Sequence, residues 1–288
     1  MPELPEVETV RSGLHKLIIG RVIKSAVSDN PKSFPNSATD VQEFLINAAV
    51  TNVRRRAKVL MIDLSTGYSL LIHLKMTGQL VFVGEKRFGA GHPNDSLINK
   101  LPDKSTRVTL EFSDGTHLYF NDQRKFGWMR LLPTVEIPNI DFMKKVGPEP
   151  LAANFTAAEF AERFKRRSGS NIKAAILDQS VIAGVGNIYA DESLWGAKIH
   201  PQRLVKSISD KEFQALYDDV REVMNLAIAK GGSSNQTYIN AEGQRGRYMD
   251  FARVFRREGQ ACPRCGTAII KLRVAGRGTH ICPHCQTL

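Results

Sequence analysis

The first six residues contain side chains that could perform covalent chemistry. Pro2 follows Met1, and we expect Met1 to be removed before so small a residue, which exposes a secondary amine. An α-amino group has a pKa of about 7.7–8.0, so a useful fraction is unprotonated near neutrality. Attack on a sugar C1′ would give a cationic iminium, with Glu3 as general acid and Glu6 as electrostatic support. Proline and glutamate are also common at the start of a helix, so these residues alone leave both interpretations open.

All four cysteines lie near the C-terminus, as two C-x2-C pairs separated by sixteen residues: Cys262, Cys265, Cys282 and Cys285. This spacing predicts one tetrahedral Zn²⁺ site, and four thiolates leave no open position, so the zinc is structural. His280 and His284 are alternative ligands. Strands at Ala268–Ala275 and Thr279–Cys282, around a turn at Gly276–Gly278, predict a zinc ribbon with Arg277 at its tip.

A Gly-x-Gly sequence precedes Asn187, between two predicted short helices at Ile172–Gln179 and Asn187–Leu194. No strand precedes it, so a dinucleotide site is not indicated. The free N–H groups of a helix N-terminus can bind a phosphate, and the Asn187 amide could add a donor. A plain tight turn explains the glycines equally well.

Two further segments carry residues suited to a nucleic-acid groove. His73 and Met76 lie at a predicted strand end, and a turn at Asn121–Gly127 brings Arg124 and Phe126 together. A flexible apolar side chain, a guanidinium and an aromatic ring could fill a gap in a base stack. Taken singly, residues such as Met76 and Phe126 are more often core residues, and residues such as Arg124 and Lys58 are more often partners in surface salt bridges.

The charge of the chain indicates a polyanionic partner. The 288 residues include 40 Lys and Arg against 29 Asp and Glu, a net charge of +11. Residues 253–288 hold seven bases and one acid, although a solvated basic tail has the same composition. The apolar runs are too short for a membrane span and the acidic N-terminus is unlike a secretory signal, so we expect a cytoplasmic protein without a membrane partner.

The predicted elements divide the chain into a β-rich half and a helical half. Val7, Val10, Leu14 and Leu17 predict an opening helix. Alternating patterns then predict an antiparallel sandwich or barrel, with strands at Ala57–Leu64, Tyr68–Leu74, Gly78–Val83, Thr106–Ser113, Thr116–Phe120 and Trp128–Leu132. Lys86–Ser105 is predicted as a long mobile loop and Pro133–Pro150 as a linker. Capping patterns at Thr156 and Ser209 predict later helices.

The motifs together resemble the bacterial formamidopyrimidine-DNA glycosylase family, also called 8-oxoguanine DNA glycosylase/AP lyase. They are PELPEVETV, RRRAK, HLKMTG, FNDQRKFG, DQSVIAGVGNIYADESLW, GGSS and CPRCG…GRGTHICPHCQ, in this order over essentially the whole chain. The resemblance implies an α+β fold: an N-terminal antiparallel β-sandwich with flanking helices, then a helix–two-turns–helix domain ending in a zinc ribbon. We expect a catalytic domain at 1–134, a linker at 135–152, the helical domain at 153–252 and the ribbon at 253–288.

The resemblance also implies a mechanism and a partner. The implied activity is removal of oxidised purines, including 8-oxoguanine and formamidopyrimidines, from double-stranded DNA by a monomer, followed by β- and δ-elimination at the abasic site. The damaged nucleotide leaves the stack so that its C1′ reaches the enzyme. A bacterial cytoplasmic protein that works on the nucleoid is expected.

The resemblance assigns roles by position. Pro2 is similar to the nucleophile, Glu3 to the catalytic acid, and Glu6 to the supporting carboxylate. Lys58 and Arg277 resemble the proposed proton donors of the elimination steps. The implied DNA contacts are His73, Met76, Arg124, Phe126, Asn187 and Arg277, with Met76, Arg124 and Phe126 filling the vacated space and Arg124 favouring cytosine opposite the lesion.

Two alternatives remain at this point. The endonuclease VIII-like branch removes oxidised pyrimidines, but it typically has Gly where Leu4 follows Glu3. A non-catalytic zinc-dependent protein that binds damaged DNA would share the basic tail and the cysteines without needing Pro2, Glu3, Glu6 and Lys58. One departure concerns the segment Ser233–Tyr238, which lacks the Arg-Asp pair that the family often has over the flipped base.

Overall fold

The computed structural model describes residues 2–92, 94–233 and 246–288, and the chain forms two compact units. The first unit is Met1–Lys144 with Lys230–Arg247, and the second is Lys145–Ala229 with Tyr248–Leu288. The four-part division predicted from the sequence stays a prediction. Among the described residues, no helix combines the length and apolar character needed to cross a membrane.

Two antiparallel sheets and one long helix build the first unit. The helices are α1 (Leu4–Ile18), the short α2 (Ala38–Asp40), which continues as a π-helical turn at Val41–Leu45, and α3 (Asp141–Lys145). The strands are β1 (Ile23–Ser28), β2 (Val50–Arg56), β3 (Val59–Leu64), β4 (Tyr68–His73), β5 (Gly78–Val83), β6 (Arg87–Gly91), β7 (Thr106–Phe112), β8 (His117–Asp122) and β9 (Trp128–Pro133). One sheet has the order β1-β7-β8-β5-β6, and the other has the order β2-β3-β4-β9.

The main core lies between these sheets and α1. Alternate residues of both sheets, such as Leu60, Ile62, Leu118 and Phe120, are fully buried together with Val10 of the helix. Each strand residue of this kind contributes about 1.5–3 kcal/mol relative to an exposed position. The predicted β-sandwich and its opening helix are therefore confirmed.

The outer faces of both sheets are covered as well. Val59, Met61 and Leu71 of the four-stranded sheet pack against Ile137 of the segment between β9 and α3. This segment includes a 3-10 turn at Thr134–Asn139, so part of the predicted linker is folded onto the sheet.

Two of the sequence predictions for this unit are wrong in detail, and two strands have no counterpart among the predictions. The predicted strand Ala57–Leu64 begins only at Val59, because the chain reverses at Ala57, whose φ is 53°, and pairs β3 with β2. The strands β1 and β2 were not predicted, since β2 ends in three consecutive arginines that hide its alternation. Lys86–Ser105 is not a structureless loop: it contains β6 and a 3-10 turn at Asp95–Leu97.

The second unit is helical and ends in a two-stranded ribbon. Its helices are α4 (Ala157–Lys165), α5 (Ile172–Leu177), α6 (Asn187–Gly196) and α7 (Asp210–Ala229), and its strands are β10 (Ile270–Val274) and β11 (Arg277–Ile281). Short 3-10 turns occur at Val205–Ser207 and Tyr248–Phe251. An aromatic cluster of Phe155, Phe160, Phe164, Phe213 and Tyr217 joins α4 to α7.

The two predicted capping patterns are confirmed. Thr156 Oγ1 accepts a hydrogen bond from the Glu159 N–H at 3.2 Å. Ser209 and Glu212 cap each other's backbone N–H groups, at 2.8 and 3.3 Å. The bond at Thr156 and the reciprocal pair at Ser209 satisfy donors that a helix N-terminus leaves open.

The ribbon turn is shorter than predicted. Ala275 and Gly276 both have positive φ, 50° and 71°, which is the requirement of a two-residue type I′ turn. Arg277 is therefore not the tip of the hairpin but the first residue of β11, paired with Val274. Within the second unit, the side chain of Arg277 is exposed.

Candidate active site and nucleic-acid interface

The start of α1 places two carboxylates beside a buried Pro2. Glu3 is the N-cap and is only 3 % exposed; its carboxylate accepts the Glu6 backbone N–H, and its own N–H donates to Glu6 Oε2 at 2.9 Å. The other oxygen, Glu6 Oε1, accepts the Ser233 N–H at 2.8 Å. Glu6 thus fixes Glu3 and the end of the Gly231–Ser233 segment at one point, close to Pro2 in sequence.

Position 232 requires glycine for two reasons. Its φ is 87°, and a Cβ there would lie 3.2 Å from Glu6 Oε1. A side chain would therefore be strained and would also crowd the carboxylate. The residues that follow, from Ser234 through Arg245, lie outside the described residues, and so does the predicted departure in the Ser233–Tyr238 segment beyond Ser233.

The β2–β3 hairpin carries Lys58, which is 5 % exposed. Glu8 of α1 accepts a hydrogen bond from Arg55 Nε at 2.9 Å, and Arg55 Nη1 donates to the Ala57 carbonyl at 2.9 Å. Because Glu8 lies in the same helix as Glu3 and Glu6, this pair of bonds ties the Lys58 turn to the helix that carries both carboxylates. No local pattern signals this link, since Glu8 and Arg55 are 47 residues apart.

His73 is buried and uncharged. Its Nδ1 accepts the Lys75 N–H at 3.0 Å, which assigns the ring proton to Nε2. Burial, followed by the positive charges of Lys75 and Lys58, lowers the pKa of His73 to about 3. At neutral pH the ring can donate one hydrogen bond but cannot supply a positive charge.

The residues predicted to enter a base stack are held by a buried aspartate. The Asp122 carboxylate accepts from the Thr77 hydroxyl, from the Arg124 N–H at 3.2 Å and from the Gly127 N–H at 2.6 Å. Thr77 follows Met76 directly, so Asp122 fixes the Met76 loop and the Arg124 turn relative to each other.

The side chains on this turn are presented to solvent. The Arg124 guanidinium lies 4.8 Å from the ring centroid of Phe126, and the ring is 54 % exposed. A cation stacked on an exposed ring is a flat amphipathic surface of the kind that packs against bases. The alternative that Phe126 is a core residue is therefore wrong, whereas Met76 is half-buried.

In the second unit, Asn187 and the Arg277 strand are joined. Asn187 is the first residue of α6, and its Nδ2 donates to the Gly278 carbonyl at 2.9 Å. Gly278 directly follows Arg277, so this bond holds the start of β11 against the N-terminus of α6. Gln179 supports the preceding turn by accepting the Gly184 N–H at 2.9 Å.

The four cysteines form a metal site of the predicted kind. Their sulfurs lie within 4.8 Å of one another, with separations of 3.4, 3.5 and 4.0 Å for three of the pairs. A tetrahedral Zn²⁺ with bonds of about 2.3 Å needs sulfurs about 3.8 Å apart, so the donor set fits zinc. The sulfur of Cys262 accepts a hydrogen bond from Trp195 Nε1 at 3.4 Å. The site holds one structural Zn²⁺, and His280 instead faces Asp191.

Comparison with known proteins covers the whole chain. Three family models match: the formamidopyrimidine-DNA glycosylase N-terminal domain at residues 1–129, the H2TH domain of the same enzymes at 146–238, and the zinc finger found in FPG and IleRS at 259–288. The formamidopyrimidine-DNA glycosylase of Listeria innocua is 42% identical over 99% of this chain and 100% of its own, and that of Pediococcus pentosaceus is 40% identical over 100% of both.

The chain belongs to the formamidopyrimidine-DNA glycosylase family. Solved structures of this family have the same fold as the chain. Lactococcus lactis Fpg in complex with DNA containing an abasic site superposes with a TM-score of 0.88 and 35% identity, covering 99% of this chain and 100% of its own. MutM in complex with DNA containing carbocyclic 8-oxo-G gives a TM-score of 0.86 at 34% identity, over 100% of both chains.

One cluster in this glycosylase-family chain was missed by sequence reasoning. Lys173 of α5 and Asp191 of α6 form a fully buried ion pair, and Asp191 Oδ2 also accepts the His280 N–H at 3.0 Å. Asp191 and His280 are 89 residues apart. The one sequence signal was Lys173, the single charged residue of the otherwise apolar α5, and it indicates a buried charge but not its partner. The cluster fixes β11, the strand that begins with Arg277, to the helical part of the second unit.

We expect Asp191→Asn to lower the free energy of unfolding by about 3–5 kcal/mol, because it removes the carboxylate charge that faces the fully buried Lys173 ammonium. Urea unfolding of the second unit measures this, with the exposed Asp218→Asn as the matched control. A loss below about 1 kcal/mol for Asp191→Asn would show that the pair is not needed for the fold.

Proposed function

We propose that the chain removes oxidised purines from double-stranded DNA through the amine of Pro2 and then cleaves the strand at the abasic site. Family membership supports both activities. The observation that carries the proposal is a buried Pro2 directly before Glu3, whose buried carboxylate is interlocked with that of Glu6. A DNA-binding protein without catalysis would have no need to bury two acids at this point.

The proposed chemistry uses Pro2 as the nucleophile. After removal of Met1, the Pro2 nitrogen forms a bond to C1′ of the flipped nucleotide and gives up its proton. The bond from C1′ to the damaged base breaks, and the base leaves with the bonding electron pair and one proton. Glu3 protonates the ring oxygen, which opens the sugar and gives an iminium ion. Because the amine is secondary, this iminium has no N–H to lose and remains cationic, so it accepts electrons in the following eliminations.

Two further groups are assigned to the elimination steps. Loss of a C2′ proton from the iminium expels the 3′ phosphate, and a second elimination expels the 5′ phosphate, leaving a one-nucleotide gap. Lys58 and Arg277 are proposed to donate protons in these steps. The hydrogen bonds from Glu8 through Arg55 to the Ala57 carbonyl support the placement of Lys58, since they order its turn.

The DNA partner follows from charge and from the surfaces described above. The net charge of +11 favours association with a polyanion. Asn187 and Arg277 are proposed to bind phosphates beside the flipped nucleotide, with His73 as a neutral donor. Met76, Arg124 and Phe126 are proposed to occupy the space that this nucleotide leaves. We further propose that the protein acts as a monomer in the bacterial cytoplasm.

Borohydride trapping tests the proposed function. Intact mass first establishes that the sample has lost Met1, and a duplex with 8-oxoguanine opposite cytosine is then reduced in the presence of the protein. A covalent adduct mapped to Pro2 is the expected result. If des-Met protein binds the duplex but gives no adduct with it or with an abasic-site duplex, the lyase proposal is wrong; an adduct with the abasic site alone would remove 8-oxoguanine as the substrate.

Arg277→Ala tests the proposed phosphate contact. We expect weaker binding to all duplexes and a plot of log K against log salt that is less steep by about 0.9, the value of one phosphate contact. Fluorescence anisotropy over a series of salt concentrations gives the slope. The control is Arg166→Ala, which removes an exposed arginine at the end of α4. It should change the slope less than Arg277→Ala does. Equal slopes for the parent and Arg277→Ala would remove Arg277 from the interface.

A further inference from the structure

The segment 84–105, between β5 and β7, is firmly anchored to the five-stranded sheet. Leu97 and Leu101 pack on Val81 and Tyr119 at the outer face of that sheet. Arg87 donates hydrogen bonds to the carbonyls of Leu97 at 2.9 Å and Asn99 at 2.6 Å, which closes the 3-10 turn. A small apolar core and its own polar cap therefore give the described residues of this segment, 84–92 and 94–105, a defined conformation.

Beneath the two ends of the segment runs a row of polar residues across four strands. The pairing register places Gly91, Gln79, Asn121 and Thr106 opposite one another, on β6, β5, β8 and β7. Thr106 Oγ1 donates to Asn121 Oδ1 at 2.9 Å, and Asn121 Nδ2 donates to Gln79 Oε1 at 3.4 Å. Gln79 and Asn121 are 0 % and 1 % exposed, and buried amides are costly unless they are paired.

Both ends of the segment attach to this row. At the first end, the Gln79 amide donates to the His92 carbonyl, and the His92 N–H donates to the Gly78 carbonyl at 3.0 Å. A Cβ at Gly91 would collide with that same carbonyl oxygen, so this close approach requires glycine. At the second end, Thr106 Oγ1 accepts the Asp103 N–H at 2.9 Å.

The row lies next to the aspartate that holds the loops proposed to face DNA. Asn121 directly precedes Asp122, whose backbone N–H donates to the Ser105 carbonyl at 2.7 Å and whose carbonyl accepts from Arg107 Nε at 2.9 Å. The Asp122 carboxylate fixes the Arg124 turn and the Thr77 hydroxyl. The backbone of Asp122 is thus held by the end of the segment, and its side chain holds Arg124.

We propose that the segment 84–105 is a positioning element that sets the preference for the base opposite the lesion, acting through Gln79, Asn121 and Thr106 on the Arg124 turn. The proposal rests on the proposed function, in which Arg124 helps to occupy the space that the flipped nucleotide leaves and so lies opposite the base that has lost its pairing partner. It assigns to these three residues no contact with DNA. Their part is to hold the backbone of Asp122, so that the Arg124 guanidinium meets the opposite base in one orientation.

Thr106 offers a matched pair of variants for the test. Thr106→Val keeps the branched shape and removes both hydrogen bonds of the hydroxyl, whereas Thr106→Ser keeps the hydroxyl. Binding is measured to duplexes with an uncleavable tetrahydrofuran abasic analogue opposite cytosine or adenine, together with single-turnover excision of 8-oxoguanine opposite each base and thermal unfolding. The binding ratio needs no chemistry from Pro2, so it can be determined even if the proposed catalytic function is wrong.

We expect Thr106→Val to reduce the cytosine-to-adenine binding ratio by about three- to tenfold, the range of one hydrogen bond, because only the bond to Asn121 leads toward Asp122 and the Arg124 turn. Thr106→Ser should restore the ratio of the parent chain. An unchanged ratio in Thr106→Val, or an equal fall in both variants, overturns the proposal. Equal affinity of the parent for the two duplexes would also overturn it, because no preference would then exist to be set.

Discussion

Pro2→Gly is expected to abolish base excision while the protein still binds damaged DNA. Single-turnover release of 8-oxoguanine should fall by about 10³-fold or more, as for other variants that lose a positioned nucleophile. Glycine supplies a primary amine that rotates freely, and its imine can lose a proton and the electron-accepting charge. The proline ring prevents both the free rotation and the loss of charge, and Pro2 directly precedes the N-cap Glu3, whose carboxylate the α1 capping box holds in place.

A second proline in the same segment provides the control for this prediction. Pro5 lies in the first turn of α1, where its missing N–H costs nothing, and it has no proposed chemistry. Pro5→Ala should therefore retain excision close to that of the parent. Equilibrium binding to the tetrahydrofuran duplex should be similar for all three proteins. If Pro2→Gly releases the base at the parent rate, the nucleophile is not Pro2.

The sandwich could be predicted where hydrophobic alternation was strong. Residues such as Val108, Leu110 and Phe112 alternate with polar neighbours, and the strands they predicted are present as β7 and its neighbours. Other strands depend on tertiary pairing that no local pattern encodes. The β6 sequence Arg87–Gly91 has three small residues of five, and it forms a strand because Phe88 packs into the core and Gly91 passes close to Gly78.

In the functional site, too, sequence patterns predicted only residues that lie close together in the chain. Residue type and spacing were enough to propose Pro2, Glu3 and the cysteines, since each of these groups is local in sequence. The residues that position them are distant: Glu8 is 47 residues from Arg55, and Asp122 is 45 residues from Thr77. A single sequence contains no pattern that joins such pairs, so Asp122 and the Lys173–Asp191 pair emerged only from the fold.

The carboxylates of Glu3 and Glu6 and the proposed phosphate-binding surface differ in the same way: local contacts hold the first, and long-range contacts hold the second. Glu3 and Glu6 are fixed within one helical turn, so their geometry survives small movements elsewhere. The proposed phosphate-binding surface depends on a bond between α6 and β11, from Asn187 to Gly278. Because β11 belongs to a ribbon with few apolar residues, this surface depends on the metal that holds the ribbon together.

Removal of the zinc is accordingly expected to lower DNA affinity by about 100-fold or more, through loss of structure in the ribbon. The apolar cluster of the ribbon contains only Val254 and Ile269 beside Trp195 and the cysteines among the described residues, and that is too little to fold a hairpin. Metal binding supplies about 10–16 kcal/mol in isolated zinc fingers, so it accounts for the folding of such a module. Without it, Arg277 and the Gly278 carbonyl lose their fixed position, and Asn187 loses its partner.

Cys282→Ser is the variant to compare with chelation, and His284→Ala is its control. Cys282 is buried among the ligand sulfurs, whereas His284 is exposed between two cysteines and should not affect the zinc content. Zinc content, anisotropy on the tetrahydrofuran duplex and borohydride trapping on an abasic-site duplex at saturating DNA are measured for each protein. Because the ribbon is proposed to bind DNA and Pro2 to perform the chemistry, trapping at saturation should fall much less than affinity. A zinc-free protein with the affinity of the parent would show instead that the helical part of the second unit holds Arg277 and Asn187 by itself, through the Lys173–Asp191–His280 cluster.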